Sequence, residues 1–213
     1  MQYDETHLKQ MPKRVLNNFI NALSGFKSAN LIGTVSEEGD LNVALFSSVF
    51  HVGANPPLMG FISRPHSVPR HTLENIKANG EFTISCVNEA IYQHAHHCSA
   101  RSEKHESEFD FAALTACYKP GFKAPAVAES ALKIYLKVRE ITPIKSNDTT
   151  MIVGEIITID VAADAVQDDG FIDHQLLQTV AISGLDSYHK TMPLQRLNYA
   201  KKDLKPSPLI TDK

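Results

Sequence analysis

The chain of 213 residues carries 24 acidic and 21 basic side chains, a net charge of −3, with 43% hydrophobic and 21% charged residues. That composition suits one sizeable domain with a full core. It excludes disorder and gives no basic footprint for nucleic acid. The longest apolar stretches, Val43 to Phe50 and Met151 to Val161, are too short or too interrupted to span a membrane. The polar start MQYDETHLKQ lacks the apolar segment of a secretory signal. Cys86, Cys98 and Cys117 are odd in number and have no CxxC spacing, so reduced thiols in a cytoplasmic protein are expected.

From Pro12 to Ser24 the spacing of Leu16, Phe19, Ile20 and Leu23 predicts a first helix with one buried face, stopped by Gly25. Ala29 to Ser36, a turn at Glu37-Glu38-Gly39-Asp40, and Leu41 to Phe50 predict a β-hairpin. Asn55-Pro56-Pro57 breaks the chain before a third strand, Leu58 to Ser63. After a proline-bearing loop, Thr72 is placed to cap a short helix, Leu73 to Ala78, closed by Asn79-Gly80. Glu81 to Val87 reads as a fourth strand, and Asn88 is placed to cap a second short helix through His97. A charged loop from Ser99 to Ser107 and a packed turn at Phe109, Phe111 and Leu114 follow.

Ala131 to Glu140 alternates apolar and polar residues as a half-solvated antiparallel strand does. Ser146-Asn147-Asp148 turns into Met151 to Val161, where Gly154 predicts a bulge or a close backbone approach. The last dozen residues read as a surface tail. About six strands in hairpin-like order, with helices inserted between them, predict a mainly β (α+β) antiparallel barrel with accessory helices rather than a parallel doubly wound sheet.

The chain has no GxxxxGK[ST], GxGxxG or G-x-S-x-G motif. Arg70-His71-Thr72 at a helix start combines free N–H groups, a hydroxyl and a guanidinium, which suits a phosphate, with Arg64 across the preceding loop. From this segment alone the simpler reading is a capped helix with solvated arginines. Ser47 and Ser48 end an apolar strand, either as donors to a polar ligand or bonded to their own backbone. His94, His96, His97 and Cys98 fall at helical spacing that two or three metal ligands could share, but no HExxH or second ligand pair accompanies them.

Seven ordered segments resemble the flavin reductase-like FMN-binding family, the split β-barrel group that includes the flavoredoxins. They are NVALFSSV (Asn42 to Val49), NPPL (Asn55 to Leu58), RHTLENI (Arg70 to Ile76), GEFTIS (Gly80 to Ser85), Ser107-Glu108-Phe109, Val153-Gly154-Glu155-Ile156, and AISGLDSYHK (Ala181 to Lys190). The resemblance implies a six-stranded split β-barrel over residues 26–200, an N-terminal helical arm at 1–25 and a tail at 201–213. It implies a homodimer with one noncovalent FMN per subunit. Ser47, Ser48 and Val49 would meet the isoalloxazine edge. Arg64, Arg70, His71 and Thr72 would hold the phosphate, and Ser99, Ala100 and Arg101 would approach the cofactor. Leu185 and Tyr188 would lie near the ring, from either subunit.

In this reading the flavin does the redox work, NAD(P)H or a redox protein supplies electrons, and no protein acid or base is required. One departure bears on the donor. Asp148-Thr149-Thr150 stands where nicotinamide-using members of the family often have Asp-His-Thr, and SGLDSYHK stands in place of their Gly-Tyr style segment. This favours a tightly bound FMN over reduction of free flavin. A non-enzymatic flavin carrier or sensor and a histidine-cluster metalloprotein are the alternatives.

Overall fold

The computed structural model describes residues 1–209. The chain opens with α1 (Glu5–Gln10) and α2 (Lys13–Ala22), then β1 (Lys27–Ser28), β2 (Asn30–Val35), β3 (Leu41–Phe46), β4 (Phe50–Ala54) and β5 (Pro57–Ser63). Next come α3 (His71–Asn79), β6 (Glu81–Cys86), α4 (Tyr92–His97), α5 (Glu108–Phe111) and a two-residue pair, β7 (Ala116–Cys117) with β8 (Ala126–Val127). Two long strands, β9 (Leu132–Ile144) and β10 (Thr149–Val161), precede a final hairpin, β11 (Val180–Ser183) and β12 (Ser187–Lys190).

The main sheet has seven strands in the order β3-β2-β6-β9-β10-β5-β4, every pair antiparallel. Laid flat at strand spacing, its two edges would stand roughly 29 Å apart. Yet the edges are β3 and β4, which are consecutive in the chain with only Ser47, Ser48 and Val49 between them. Those four Cα–Cα steps span at most about 14 Å, so the sheet curls until its edges meet at this corner. The Ser48 hydroxyl locks the seam there: it donates to the Ile62 carbonyl at 3.1 Å and accepts from the Ile62 N–H at 3.2 Å. The expected single strand through Phe50 is thus one bent strand used twice, which makes six expected strands into seven. The split-barrel architecture stands.

Two cores follow from the strand alternation. Neighbours Leu31 and Ile32 point to opposite faces of β2 and enter different clusters. Ile32, Phe61, Phe82, Ile84, Leu136 and Ile152 fill the barrel, and Leu73 and Ile76 of α3 join them. Leu31, Val43, Ile91, Phe109 and Ile182 form the second cluster, outside the barrel under α4, α5 and β11. β1, β11 and β12 make a small separate sheet, which the mixed sequence after Gly170 did not predict.

Gly154 sits at the predicted bulge, and what approaches it closely is a side chain rather than another backbone. The β9–β10 register shifts beside it, and a Cβ there would sit 2.6 Å from Phe82 Cζ. Tyr135 corrects the half-solvated reading of β9, because Phe122 and its loop cover it and leave it buried. The apolar face of α2 is also not what its spacing suggested. Leu16 and Phe19 are only half-buried, and Ile20 and Leu23 are 47% and 66% exposed. α1, capped by Asp4, was not foreseen. Residues 201–209 are nearly all exposed, as a tail would be, while the expected end at 210–213 lies outside the described residues.

A Cβ on Gly33 would stand 2.0 Å from the Pro125 carbonyl oxygen and 2.7 Å from Thr83 Oγ1. Gly33→Ala is therefore expected to cost about 3 kcal/mol of unfolding free energy in urea titration. Gly53→Ala, whose Cβ meets nothing nearer than 3.5 Å, should stay within about 0.5 kcal/mol of the parent.

Candidate functional site

The site is built around the N-terminus of α3. Leu73 and Ile76 anchor the helix in the barrel, and Gly80 ends it with a left-handed φ of 69°. Arg70, not Thr72, is the N-cap residue. The capping acceptor comes from inside the helix: Glu74 Oε1 accepts from the Arg70 N–H at 3.0 Å and lies 2.7 Å from His66 Nε2. Thr72 is buried in the first turn, where its hydroxyl accepts from Asn42 Nδ2 at 3.0 Å. Asn42 also reaches Thr34 Oγ1, as does Asn75 from the next turn, both at 3.1 Å. This buried amide–hydroxyl network fixes the height of α3 against β2 and β3. The first intrahelical bond runs from the Glu74 N–H to the Arg70 carbonyl, so the N–H groups of His71 and Thr72 have no intrahelical acceptor.

Arg64, Arg70 and Arg101 converge on this helix start. The Arg70 guanidinium is held below its ordinary value by burial and by the positive charges of Arg64 and Arg101. Its Nε donates to the Pro65 carbonyl at 3.1 Å. None of the three arginines has a carboxylate partner among the described residues. Guanidinium groups without carboxylate partners at the positive end of a helix are the chemistry an anion would meet favourably. The predicted residues Arg64, Arg70, His71, Thr72 and Arg101 are therefore brought together, although the Thr72 hydroxyl faces the network rather than a ligand.

Ser47, Ser48 and Val49 form the half-buried seam corner. With the Ser48 hydroxyl committed to Ile62, the corner offers a ligand its backbone and Ser47. Ser99, Ala100 and Arg101 are exposed on the loop after α4. Two contacts between exposed charged groups tether that charged loop. Lys104 lies 3.4 Å from Glu38, and His105 lies 3.2 Å from Asp40. Glu108, only 5% exposed, accepts from the Ser102 hydroxyl at 2.6 Å and from the Val43 N–H at 3.1 Å. The expectations from sequence give Glu108 no role of its own, because a charged side chain beside a charged loop carries no local sign of burial.

Leu185 lies in the β11–β12 turn, and Tyr188 lies on β12. Tyr188 makes its contacts with α4: His96 Nδ1 is 3.1 Å from its hydroxyl, and its ring packs against Tyr92. Burial, with Asp186 and Cys98 adding to it, pushes the Tyr188 phenol up to about 12. The clustered histidines engage three different partners. His94 meets the Ala112 carbonyl at 2.8 Å, His96 meets Tyr188, and His97 packs edge-on against Phe111. No group of three possible metal ligands is assembled among the described residues. Burial pushes the Cys86 thiol up to about 12, and burial with the nearby Glu108 does the same for Cys98.

Residues 23–178 match the family model described as flavin reductase like domain. An uncharacterised protein of Halalkalibacterium halodurans is 30% identical over 165 residues, which is 75% of this chain and 78% of that one. A crystal structure from Shewanella frigidimarina NCIMB 400, named for flavin reductase with a split barrel domain, is 50% identical. It superposes with a TM-score of 0.91 over 94% of this chain and all of that one. The flavoredoxin of Desulfovibrio vulgaris (Miyazaki F), at 21% identity, shares the fold with a TM-score of 0.70 over 95% and 97% of the two chains.

Asn42→Ala leaves the Thr72 hydroxyl without its buried donor and is expected to cost about 1–3 kcal/mol by denaturant titration. The Glu74 carboxyl sits below its usual value near 4.5. Burial works to raise it, but the His66 contact and the Arg70 N–H outweigh that. A depressed carboxyl stabilises the fold above its unfolded value and loses that contribution as pH falls through the folded one. Glu74→Gln should therefore flatten the loss of thermal stability below about pH 4.5, read as melting temperature against pH.

Proposed function

The chain belongs to the flavin reductase-like family, and from that premise we propose that it is an oxidoreductase working through one noncovalently bound FMN. The observation that carries this reading is the arginine triad without carboxylates at the start of α3. A flavin mononucleotide phosphate supplies the missing negative charge. Arg64, Arg70 and Arg101 hold it with charge-assisted bonds, and the N–H groups of His71 and Thr72 receive its oxygens. The donor set fits the group: cations and free N–H groups for the phosphate, and the half-buried Ser47–Val49 corner with its backbone and hydroxyl for the polar edge of the ring.

Bound FMN supplies the two-electron redox chemistry. The chain's own part is to bind and orient. The barrel fixes the corner, the Asn42 network fixes α3, and the loop tied by Glu108 carries Arg101.

The exposed apolar residues at both chain ends suit a homodimer. Ile20, Leu23 and Phe26 near the first helices, and Met192, Leu194 and Tyr199 in the final segment, are uncovered within one subunit. Three free thiols, one buried and two half-buried, suit a reducing cytoplasm.

The electron donor is NAD(P)H or a redox protein. A second reading, a flavin carrier without its own nicotinamide turnover, is favoured by Thr149. Its hydroxyl is held by Asn147 at 2.7 Å, and it presents no imidazole.

Purified protein should take up FMN and turn yellow, with flavin fluorescence quenched on titration. Arg70→Ala should weaken FMN by about 1.5–3 kcal/mol, roughly 10- to 150-fold. Protein that binds no FMN, or an Arg70→Ala variant with parental affinity, defeats the reading. Rapid mixing of the FMN-loaded protein with NADH and with NADPH separates the donors. Bleaching within seconds by either one supports the reductase. Bleaching slower than minutes by both, but fast with a reduced redox protein, supports the carrier.

A further inference from the structure

Glu108 is the one Asp, Glu, Lys or Arg side chain that the fold buries among the described residues, at 5% exposure. Its backbone is fixed. Ser107 caps the first turn of α5, and Phe109, 3% exposed, packs into the outer core. The two carboxylate oxygens serve different elements. Oε2 accepts from the Val43 N–H at 3.1 Å. β3 is an edge of the main sheet, and there the carboxylate stands in for a neighbouring strand's carbonyl. Oε1 accepts from the Ser102 hydroxyl at 2.6 Å. Ser102 follows Arg101 directly, so a buried, doubly bonded carboxylate pins the chain one residue from a guanidinium of the triad.

That guanidinium is under outward pressure. The charges of Arg64 and Arg101 both act on Arg70, and like charges at close range push the Arg101 loop away. The other two tethers of the loop, Lys104 to Glu38 and His105 to Asp40, lie further along the chain and are exposed, where water and salt weaken them. We propose that Glu108 is a positioning residue: through Ser102 it holds Arg101 in the anion site, and so it sets the preference for a phosphorylated over a phosphate-free flavin. The inference rests on the flavin reading and adds the residue pair that decides this selectivity. Glu108 acts only through Ser102 and Arg101.

The test measures FMN and riboflavin affinities side by side by fluorescence quenching, because riboflavin has the same ring and no phosphate. Ser102→Ala removes one hydroxyl and leaves the Glu108–Val43 bond in place. It should weaken FMN about tenfold, the scale of a lost charge-assisted bond, and leave riboflavin within about twofold of the parent. Arg101→Ala should lower the FMN-to-riboflavin ratio at least as far, and the double variant should be no worse than Arg101→Ala alone. Glu108→Ala should follow Ser102→Ala. Glu108→Gln can still accept from the Val43 N–H and can donate to Ser102 Oγ, so it should keep the parental ratio. A purely structural Glu108 would weaken both flavins alike and leave the ratio unmoved.

Tryptic cleavage after Arg101, followed by mass spectrometry on flavin-free protein, reads the tether without a ligand. Ser102→Ala should speed that cut about fivefold or more, with cuts elsewhere at parental rates. A ratio unmoved by Ser102→Ala and Glu108→Ala, losses that add in the double variant, or an unchanged cut after Arg101 overturns the proposal. Failure of the parent to bind FMN defeats the flavin reading instead, and the cleavage rate still decides whether Glu108 tethers the Arg101 loop.

Discussion

Three residues join the two edges of a seven-stranded sheet, and most of what matters here follows from that short link. A sheet of this width cannot stay open with Ser47, Ser48 and Val49 as its only connection between β3 and β4. Closure creates an interior, which Phe61, Phe82, Ile84 and Leu136 fill. It also creates a corner where ladder bonding stops and backbone groups come free. Ser48 satisfies part of that corner through Ile62, and the rest is half-buried polar surface beside the strand that leads to Arg64. The closing device and the proposed flavin-facing edge are the same three residues, so a change at this corner would act on stability and on that binding together.

The electrostatics of the site rest on a separate constraint. Guanidinium groups repel, and Arg70 is in part withdrawn from water. The fold places Arg70 and the Arg101 loop through hydrogen bonds and packing: Arg70 Nε to the Pro65 carbonyl, the buried Asn42–Thr34–Asn75 network under α3, and the Glu108 carboxylate under the Arg101 loop. Glu74, the carboxylate at the start of α3, is occupied by His66 and the Arg70 N–H. An arrangement that concentrates positive charge and neutralises none of it gains when an anion arrives, and binding strength is drawn from repulsion relieved as well as from bonds formed.

The parts legible in the sequence were those set by local rules. Alternation gave β9 and β10, Gly80 gave the end of α3, and the odd glycine gave the bulge at residue 154. The split barrel was legible only through the ordered set of family-like segments. Closure is a long-range event, and no periodicity in Leu41 to Phe50 marks where the strand bends. Thr72 misled because a threonine before an apolar run usually caps, and only the distant Asn42 decides that its hydroxyl turns inward. Glu108 misled because burial of a charge is settled by partners far along the chain, the Val43 N–H in particular. The α2 stripe was read correctly as amphipathic and wrongly as covered, since periodicity reports that a face is apolar and not which surface meets it.

The chain's own reactive groups are arranged for inertness. Cys86 and Cys98 have thiols pushed up to about 12, chiefly by burial, which leaves almost no thiolate at neutral pH. Tyr188 is likewise pushed up to about 12 and stays a neutral phenol beside His96. The histidines that look like a ligand cluster in sequence are divided among a carbonyl, a phenol and a phenyl ring. A site with a strong, uncompensated positive charge, a rigid half-buried edge and no activated nucleophile is suited to holding an anionic group that brings its own reactivity. Its catalytic value then lies in geometry. The buried hydrogen bonds that fix α3 are insensitive to ionic strength, whereas the exposed Lys104–Glu38 contact on the Arg101 loop is screened by salt. The position of α3 therefore withstands salt that loosens the tether of that loop.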